Sequence, residues 1–115
     1  MSARYVPRRP MHDANMRELP PVDPARIEHS AQSFQPMLQD ATRIISRLTE
    51  RSFVIPLMTA AQAGHQQEVD RMIKTAAGAS RAHAKYTPSG IVITVEPTNA
   101  NESCCNLSMT LRWGI

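Results

Sequence analysis

The last twenty-five residues constrain the fold most, because two segments there carry the apolar pattern of β-strands, residues 91–95 and residues 104–113. In the second segment every other residue is apolar, and these residues are Cys105, Leu107, Met109, Leu111 and Trp113. A strand with this alternation has one apolar face and one polar face. Because an isolated strand pair is marginally stable in water, we expect the pair to pack on helices or to continue a sheet in another molecule.

A first helix is predicted from Asp23-Pro24, which supplies an N-cap residue followed by proline at the first helical position. From there apolar residues recur at alternating spacings of four and three, and they are Ile27, Ala31, Phe34, Leu38, Ala41, Ile45 and Leu48. This stripe requires a partner helix, in the same chain or in another one. Pro36 lies opposite the stripe and predicts a kink or a break near Ser33.

Two shorter helices are predicted next. The first begins at Ser52, tolerates Pro56 in its first turn and ends at Gly64, with an apolar face of Phe53, Val54, Leu57, Met58 and Ala61. The second begins at Gln66 and ends at Gly78, with an apolar stripe of Val69, Met72, Ile73 and Ala76. We interpret residues 80–85 as a polar connector and residues 86–90 as a turn before the first strand.

These patterns predict an α+β fold, a small helical bundle of about three helices with a C-terminal antiparallel β-hairpin. Residues 1–22 are expected to form a Pro/Arg-rich extended arm, and residues 23–115 a single domain, helical over 23–78 and a β-hairpin over 86–115. In the arm, Tyr5, Arg8 and Arg9 are candidates for contact with a neighbouring subunit or an acidic surface. A disordered chain end is the other interpretation.

The adjacent pair Cys104 and Cys105 is the sharpest chemical feature. Neighbours in a strand point to opposite faces, so Cys105 belongs with the apolar row and Cys104 faces outward, where it can cross-link subunits. Two reduced thiols are the alternative, since a disulfide between neighbours strains the backbone and cytosolic thiols are usually reduced. Adjacent cysteines also lack the two-residue gap typical of zinc sites. Trp113 either joins an assembly contact or fills the core.

No recognised catalytic motif occurs, and we expect a non-enzymatic protein without cofactor or metal. The sequence has no nucleophile elbow and no glycine-rich phosphate loop, and its four histidines have no ligand spacing. No apolar run is long enough to span a membrane and the first residues lack the pattern of a secretory signal, so we expect cytoplasmic synthesis.

We do not expect nucleic acid to be a partner. The formal net charge is only +3. A basic ridge does recur at a spacing of four along the first predicted helix, at Arg43, Arg47 and Arg51, and Arg4, Arg8 and Arg9 precede it. Such a ridge is typical of a solvated helix face, and the chain has few aromatic side chains for base stacking.

Several short motifs resemble those of YuzC-like inner spore-coat proteins of endospore-forming Gram-positive bacteria, from about residue 20 to the end. They are Pro20-Pro21-Val22-Asp23, Phe34-Gln35, Ala60-Ala61-Gln62, Thr87-Pro88-Ser89-Gly90-Ile91 and residues 104–113. The resemblance implies synthesis in the mother cell during sporulation and deposition in a protein layer around the spore. It implies no catalytic or cofactor residues, and the cysteine pair fits coat proteins that become cross-linked.

Two functions therefore stand as hypotheses. The first is a structural protein that self-assembles into a spore-associated layer or fibre, with itself and other spore-coat proteins as partners. The second is an adaptor that holds a different protein through its arm or an apolar helical face. The residues expected in assembly or cross-linking are Tyr5, Arg8, Arg9, Cys104, Cys105 and Trp113.

Overall fold

A computed structural model describes residues 21–114 of the chain. Three helices come first, α1 (Ala25–Arg47), α2 (Arg51–Gln62) and α3 (Gln66–Ala77). Three strands follow, β1 (Arg81–Thr87), β2 (Gly90–Glu96) and β3 (Leu107–Arg112). They form one antiparallel sheet in the order β1-β2-β3. The predicted α+β class is confirmed, while the expected arm lies almost wholly outside the described residues.

The helix α1 begins within a residue of its predicted start and is continuous through Pro36. The carboxylate Oδ1 of Asp23 accepts a hydrogen bond from the Ala25 amide at 3.0 Å. The predicted break near Ser33 is wrong. Pro36 is exposed, so water can hydrate the Gln32 carbonyl, whose amide partner the proline removes, and packing on either side holds the helix together.

The rotational setting of α1 differs from the predicted stripe. The buried residues of the helix are Met37, Asp40, Ala41 and Ile44. Four of the predicted stripe residues are instead exposed, Ala31 and the larger Ile27 at 68%, Leu38 at 46% and Ile45 at 37%. The helix therefore turns a neighbouring face to the core, and the sequence pattern misses this because that face contains the carboxylate of Asp40.

Asp40 is buried because it joins α1 to the chain entering the sheet. Its Oδ2 accepts a hydrogen bond from the buried Ser80 amide at 2.9 Å, and its Oδ1 accepts one from the Arg43 guanidinium. A buried carboxylate is tolerated when it is paired and hydrogen-bonded in this way.

The other two helices bury the faces that were predicted. In α2 the buried residues are Phe53, Leu57 and Ala60, and in α3 they are Val69, Ile73 and Ala77. Gly64 and Gly78 follow these helices with φ of 73° and 89°, a conformation that favours glycine. Pro56 is the sixth residue of α2, beyond the first turn expected for it.

The interpretation of residues 80–85 as a connector is wrong, because most of this segment forms β1. Ala82, Ala84 and Tyr86 point to the core face and alternate with Arg81, His83 and Lys85 on the outer face. The alternation was present in the sequence, but two alanines are a weak apolar signal. The predicted turn at residues 86–90 is therefore the tight connection between β1 and β2.

The helices cover one face of the sheet. Helix α3 packs on β1, α1 packs on α3 and β2, and α2 packs on α3. In the central strand Ile91, Ile93 and Val95 are all at most 2% exposed. The opposite face of the sheet carries polar and charged residues and is not covered by the described helices.

Candidate assembly surface

The two edges of the sheet differ in their hydrogen bonding. At the β1 edge, the Ala84 amide donates to Asp70 Oδ1 at 2.9 Å and Gln66 Nε2 donates to the Ala84 carbonyl at 2.9 Å. Gln66 also donates to Asp70 at 3.0 Å, which links the two capping side chains of α3. These contacts occupy the middle of the β1 edge, so it is closed to another strand there.

The β3 edge is open along its length in the part of the chain that the structure describes. The register pairs Gly90 with Arg112, and the Trp113 amide donates to the Ser89 carbonyl at 3.1 Å. Hydrogen-bonded and non-hydrogen-bonded pairs alternate along an antiparallel ladder. The odd-numbered residues of β3 therefore direct their backbone groups to β2, and the even-numbered ones, Ser108, Thr110 and Arg112, direct theirs outward.

The apolar row of β3 is only half covered. Leu107, Met109, Leu111 and the following Trp113 lie against the core but keep intermediate exposure, whereas the facing residues of β2 are buried. The alternation predicted from the sequence is thus confirmed. Burial is incomplete because β3 is the edge strand farther from α3, which packs on β1.

The outer face of the sheet is mixed polar and cationic. The register aligns Lys85, Val92 and Thr110 across the three strands, with His83, Thr94 and Ser108 as the next row. Arg81 pairs with Glu96 at 3.2 Å, and Lys85 and Arg112 are exposed. This face suits solvent or an anionic surface more than an apolar core.

The cysteines lie just before β3, in the loop that follows β2. Their sulfurs are joined in a vicinal disulfide. The predicted placement of the pair within the strand is wrong, because β3 begins only at Leu107, but Cys105 does pack against the apolar core as the sequence predicts. Cys105 Sγ lies 3.8 Å from the Ser30 carbonyl oxygen and 3.8 Å from Met37 Sδ, so it packs against α1. Both cysteines keep intermediate exposure.

Trp113 is partly buried at the other end of the sheet. Its indole Nε1 donates to the Thr87 carbonyl at 2.9 Å, and its ring centroid lies 6.4 Å from that of Tyr86. The cysteine pair and Trp113 are therefore at opposite ends of β3. The other predicted assembly residues, Tyr5, Arg8 and Arg9, lie outside the described residues.

The predicted basic ridge does not lie on one helix, because α1 ends at Arg47 and Arg51 begins α2, and it is partly neutralised. Arg43 pairs with Asp40, and Arg47 pairs with Glu50 at 3.2 Å while its guanidinium lies 4.8 Å from the Phe53 ring centroid. These contacts reduce the charge that the ridge presents to a polyanion.

Within residues 21–114, no group of three or more histidine, cysteine or acidic side chains is arranged to hold a metal ion. None of the helices described there combines the length and the apolar character needed to cross a membrane.

A family model for the YuzC spore coat inner layer protein matches residues 24–106. The chain belongs to this family. The match spans the three helices, β1, β2 and the cysteine pair, and β3 follows it. Comparison with curated proteins and with solved structures found no match. Membership in the YuzC family supports a structural role in the spore coat and deposition in that layer, and it suggests a protein without enzymatic activity.

Proposed function

We propose that this protein is a non-enzymatic structural component of the spore coat that self-assembles through the open edge of β3. The observation that carries the proposal is the difference between the two sheet edges: α3 side chains cap β1, while β3 has outward-directed backbone groups without partners among residues 21–114. An exposed strand edge is a template for another strand.

The partner that fits best is a second copy of the same strand. Two β3 strands related by a two-fold axis run antiparallel and bring their even-numbered residues opposite one another. Each even-numbered residue then pairs with an even-numbered residue, and each odd-numbered residue with an odd-numbered one. Because paired residues of a ladder project to the same face of the sheet, the odd-numbered apolar rows of the two copies meet on one face. The half-covered side chains of Leu107, Met109 and Leu111 would gain apolar neighbours across the joint, and the sheet would have six strands.

A substitution at Thr110 tests this joint. Thr110→Pro removes an outward-directed amide from the β3 edge, and proline is tolerated on an edge strand whose amide faces solvent. We expect the variant to lose the β3 pairing and to show a lower average mass than the wild type by size exclusion with light scattering. Thr110→Ala keeps the amide and should behave like the wild type.

Equal masses for the wild type and Thr110→Pro, at concentrations where the wild type associates, would show that β3 is not the joint. The Trp113 emission and the thermal unfolding of both variants serve as folding controls, since Trp113 is the only tryptophan in the chain.

The cysteine pair is proposed as a covalent reinforcement of the assembly. A thiolate from another coat protein or from a reduced copy attacks Cys104 Sγ, and the Cys104–Cys105 bond breaks as Cys105 leaves as a thiolate and takes up a proton. One disulfide is exchanged for another, so no oxidant is consumed. Cys104 is the favoured target because Cys105 is packed against α1.

An adaptor function is the second candidate, and one observation favours it. Ile27, Leu38 and Ile45 form an exposed apolar row on α1 that no described residue covers. Such a row suits a helix of a different protein. The two functions differ in a pull-down from sporulating cells: an adaptor captures a different protein and remains monomeric itself, whereas the proposed coat component captures its own copies.

We further propose synthesis in the mother cell, as the family resemblance implies. Fluorescence microscopy of a tagged chain during sporulation tests it, and signal confined to the forespore interior would contradict it.

A further inference from the structure

A groove lies at the end of the sheet that is distant from the cysteine pair. Its lining includes Ile55 and Met58 from α2, Tyr86 from β1, Pro88 from the β1–β2 turn, and Trp113. Ile55 is 58% exposed, and Met58, Tyr86 and Trp113 keep intermediate exposure. The hydrogen bond from the Trp113 indole to the Thr87 carbonyl fixes the ring that forms part of the lining.

Two aromatic rings beside aliphatic side chains make a surface that recognises proline-rich segments. Aromatic-lined grooves bind PxxP segments in the polyproline II conformation, because proline rings insert between the aromatic rings and the ordering cost is small. This chain contains two such segments, Pro7-Arg8-Arg9-Pro10 and Pro21-Val22-Asp23-Pro24. The second runs directly into the start of α1, so the first is the candidate for the groove.

The geometry points to an exchange of this segment between copies: we propose that residues 5–10 of one chain bind the groove formed by Ile55, Met58, Tyr86, Pro88 and Trp113 of a neighbouring chain. This inference rests on the proposed function and deepens it, since it names a second joint and the segment that fills it.

The start of α1 and the groove lie at opposite ends of the sheet. The start of α1 lies beside the β2–β3 loop, where His29 Nε2 is 3.0 Å from Glu102 Oε2. The groove lies beyond the opposite end of the strands, at Pro88 and Trp113. The seven residues of β2 separate the two ends by about 20 Å.

A route within one chain is also long enough. Residues 10–21 can reach about 36 Å when extended, so length alone does not exclude it. An arm at one end and its groove at the other give a head-to-tail contact, which extends into a fibre or layer where successive copies do not close into a ring.

The binding test uses full-length protein in the Thr110→Pro background, so that β3 pairing does not contribute. The receptor carries Pro7→Ala and Pro10→Ala, which leaves its own groove free, and the probe is a labelled synthetic peptide of residues 1–12. We expect saturable binding by fluorescence anisotropy, with a shift of Trp113 emission. Pro7→Ala and Pro10→Ala in the peptide should weaken binding by about tenfold or more.

Variants of the receptor identify the site. Ile55→Lys places a cation at the exposed rim of the groove and should weaken binding of the arginine-containing peptide by a similar factor. Ile27→Lys is the matched control, since it changes an equally accessible helical isoleucine far from the groove and should bind the peptide as before. No saturable binding, or equal losses in the two variants, would overturn the inference.

Thr110→Pro protein with an intact arm and groove separates neighbouring-chain binding from same-chain binding: association that grows with concentration in light scattering supports the inference, and a monomer would overturn it. A mixing experiment then tests whether the arm pairs with this groove. The arm variant Pro7→Ala/Pro10→Ala and the groove variant Ile55→Lys, both with Thr110→Pro, should each be monomeric. Their equimolar mixture should form a one-to-one complex by light scattering, because one supplies the arm and the other the groove. A mixture that stays monomeric contradicts the inference, while the Thr110→Pro comparison with the wild type still tests the proposed function on its own.

Discussion

At the scale of single residues, the carboxylate of Asp40 connects the first helix to the chain that enters the sheet. Asp40 lies in the middle of the buried face of α1 and holds the Ser80 amide at 2.9 Å. From sequence alone, a carboxylate beside an apolar stripe is expected to be exposed to solvent. Asp40 is buried because the chain before β1 brings the Ser80 amide against it. The sequence singles out Cys104 and Cys105, but it does not show that both lie in the loop before β3 rather than within the strand.

Single-cysteine variants test the proposed exchange at this scale. Cys105→Ser leaves the Cys104 thiol, and it should form a mixed disulfide with oxidised wild-type protein at pH 8, visible as a dimer on non-reducing gels. Cys104→Ser leaves the thiol packed against α1 and should react more slowly. A double variant with both serines is the control. Equal rates for the single variants would contradict the difference in accessibility proposed for Cys104 and Cys105, and no dimer from either would contradict the exchange itself.

At the scale of elements, the strongly patterned segments were predictable and the weakly patterned ones were not. Helices α2 and α3 bury the predicted faces because their apolar residues are large and their glycine stops are clear. Strand β1 was missed because its core face is built from Ala82 and Ala84. The setting of α1 was missed because two neighbouring faces of that helix are both apolar enough to be buried.

Paired substitutions in α1 test its rotational setting. Met37 is 1% exposed and its neighbour Leu38 is 46% exposed. Met37→Ala should lower the free energy of unfolding by about 2–5 kcal/mol, the usual cost of truncating a large core side chain. Leu38→Ala should lower it by less than about 1 kcal/mol. Chemical denaturation of the purified variants measures both values, and a greater loss for Leu38→Ala would restore the stripe predicted from the sequence.

At the scale of the whole molecule, the sequence predicts that a strand is available for assembly, but it does not predict which edge of the sheet is open. Alternation in residues 104–113 indicates a strand that packs on helices or continues a sheet in another molecule. In the structure this strand packs against the core, and its outer edge stays open to another strand. The sequence cannot say which edge is open, because that depends on Gln66 and Asp70 reaching Ala84 from α3.

The two proposed joints would act together. Pairing of β3 with β3 across a two-fold axis closes on itself and yields a dimer, whereas exchange of the proline-rich arm is head-to-tail and continues where successive copies do not close into a ring. A closed contact and an open contact on the same molecule can connect copies in more than one direction. This combination fits a protein of a coat layer, which is the role that the family membership supports.

Hydrogen exchange at single-amide resolution tests the central claim most directly, by comparing dilute protein with the assembled form. In the dilute protein the amides of Leu107, Met109 and Leu111 should already be protected, since they bond to β2. On assembly, protection should appear at Ser108, Thr110 and Arg112, whose amides face outward. If these three amides exchange equally fast in both samples, β3 is not the joint and the account of self-assembly through this edge is wrong.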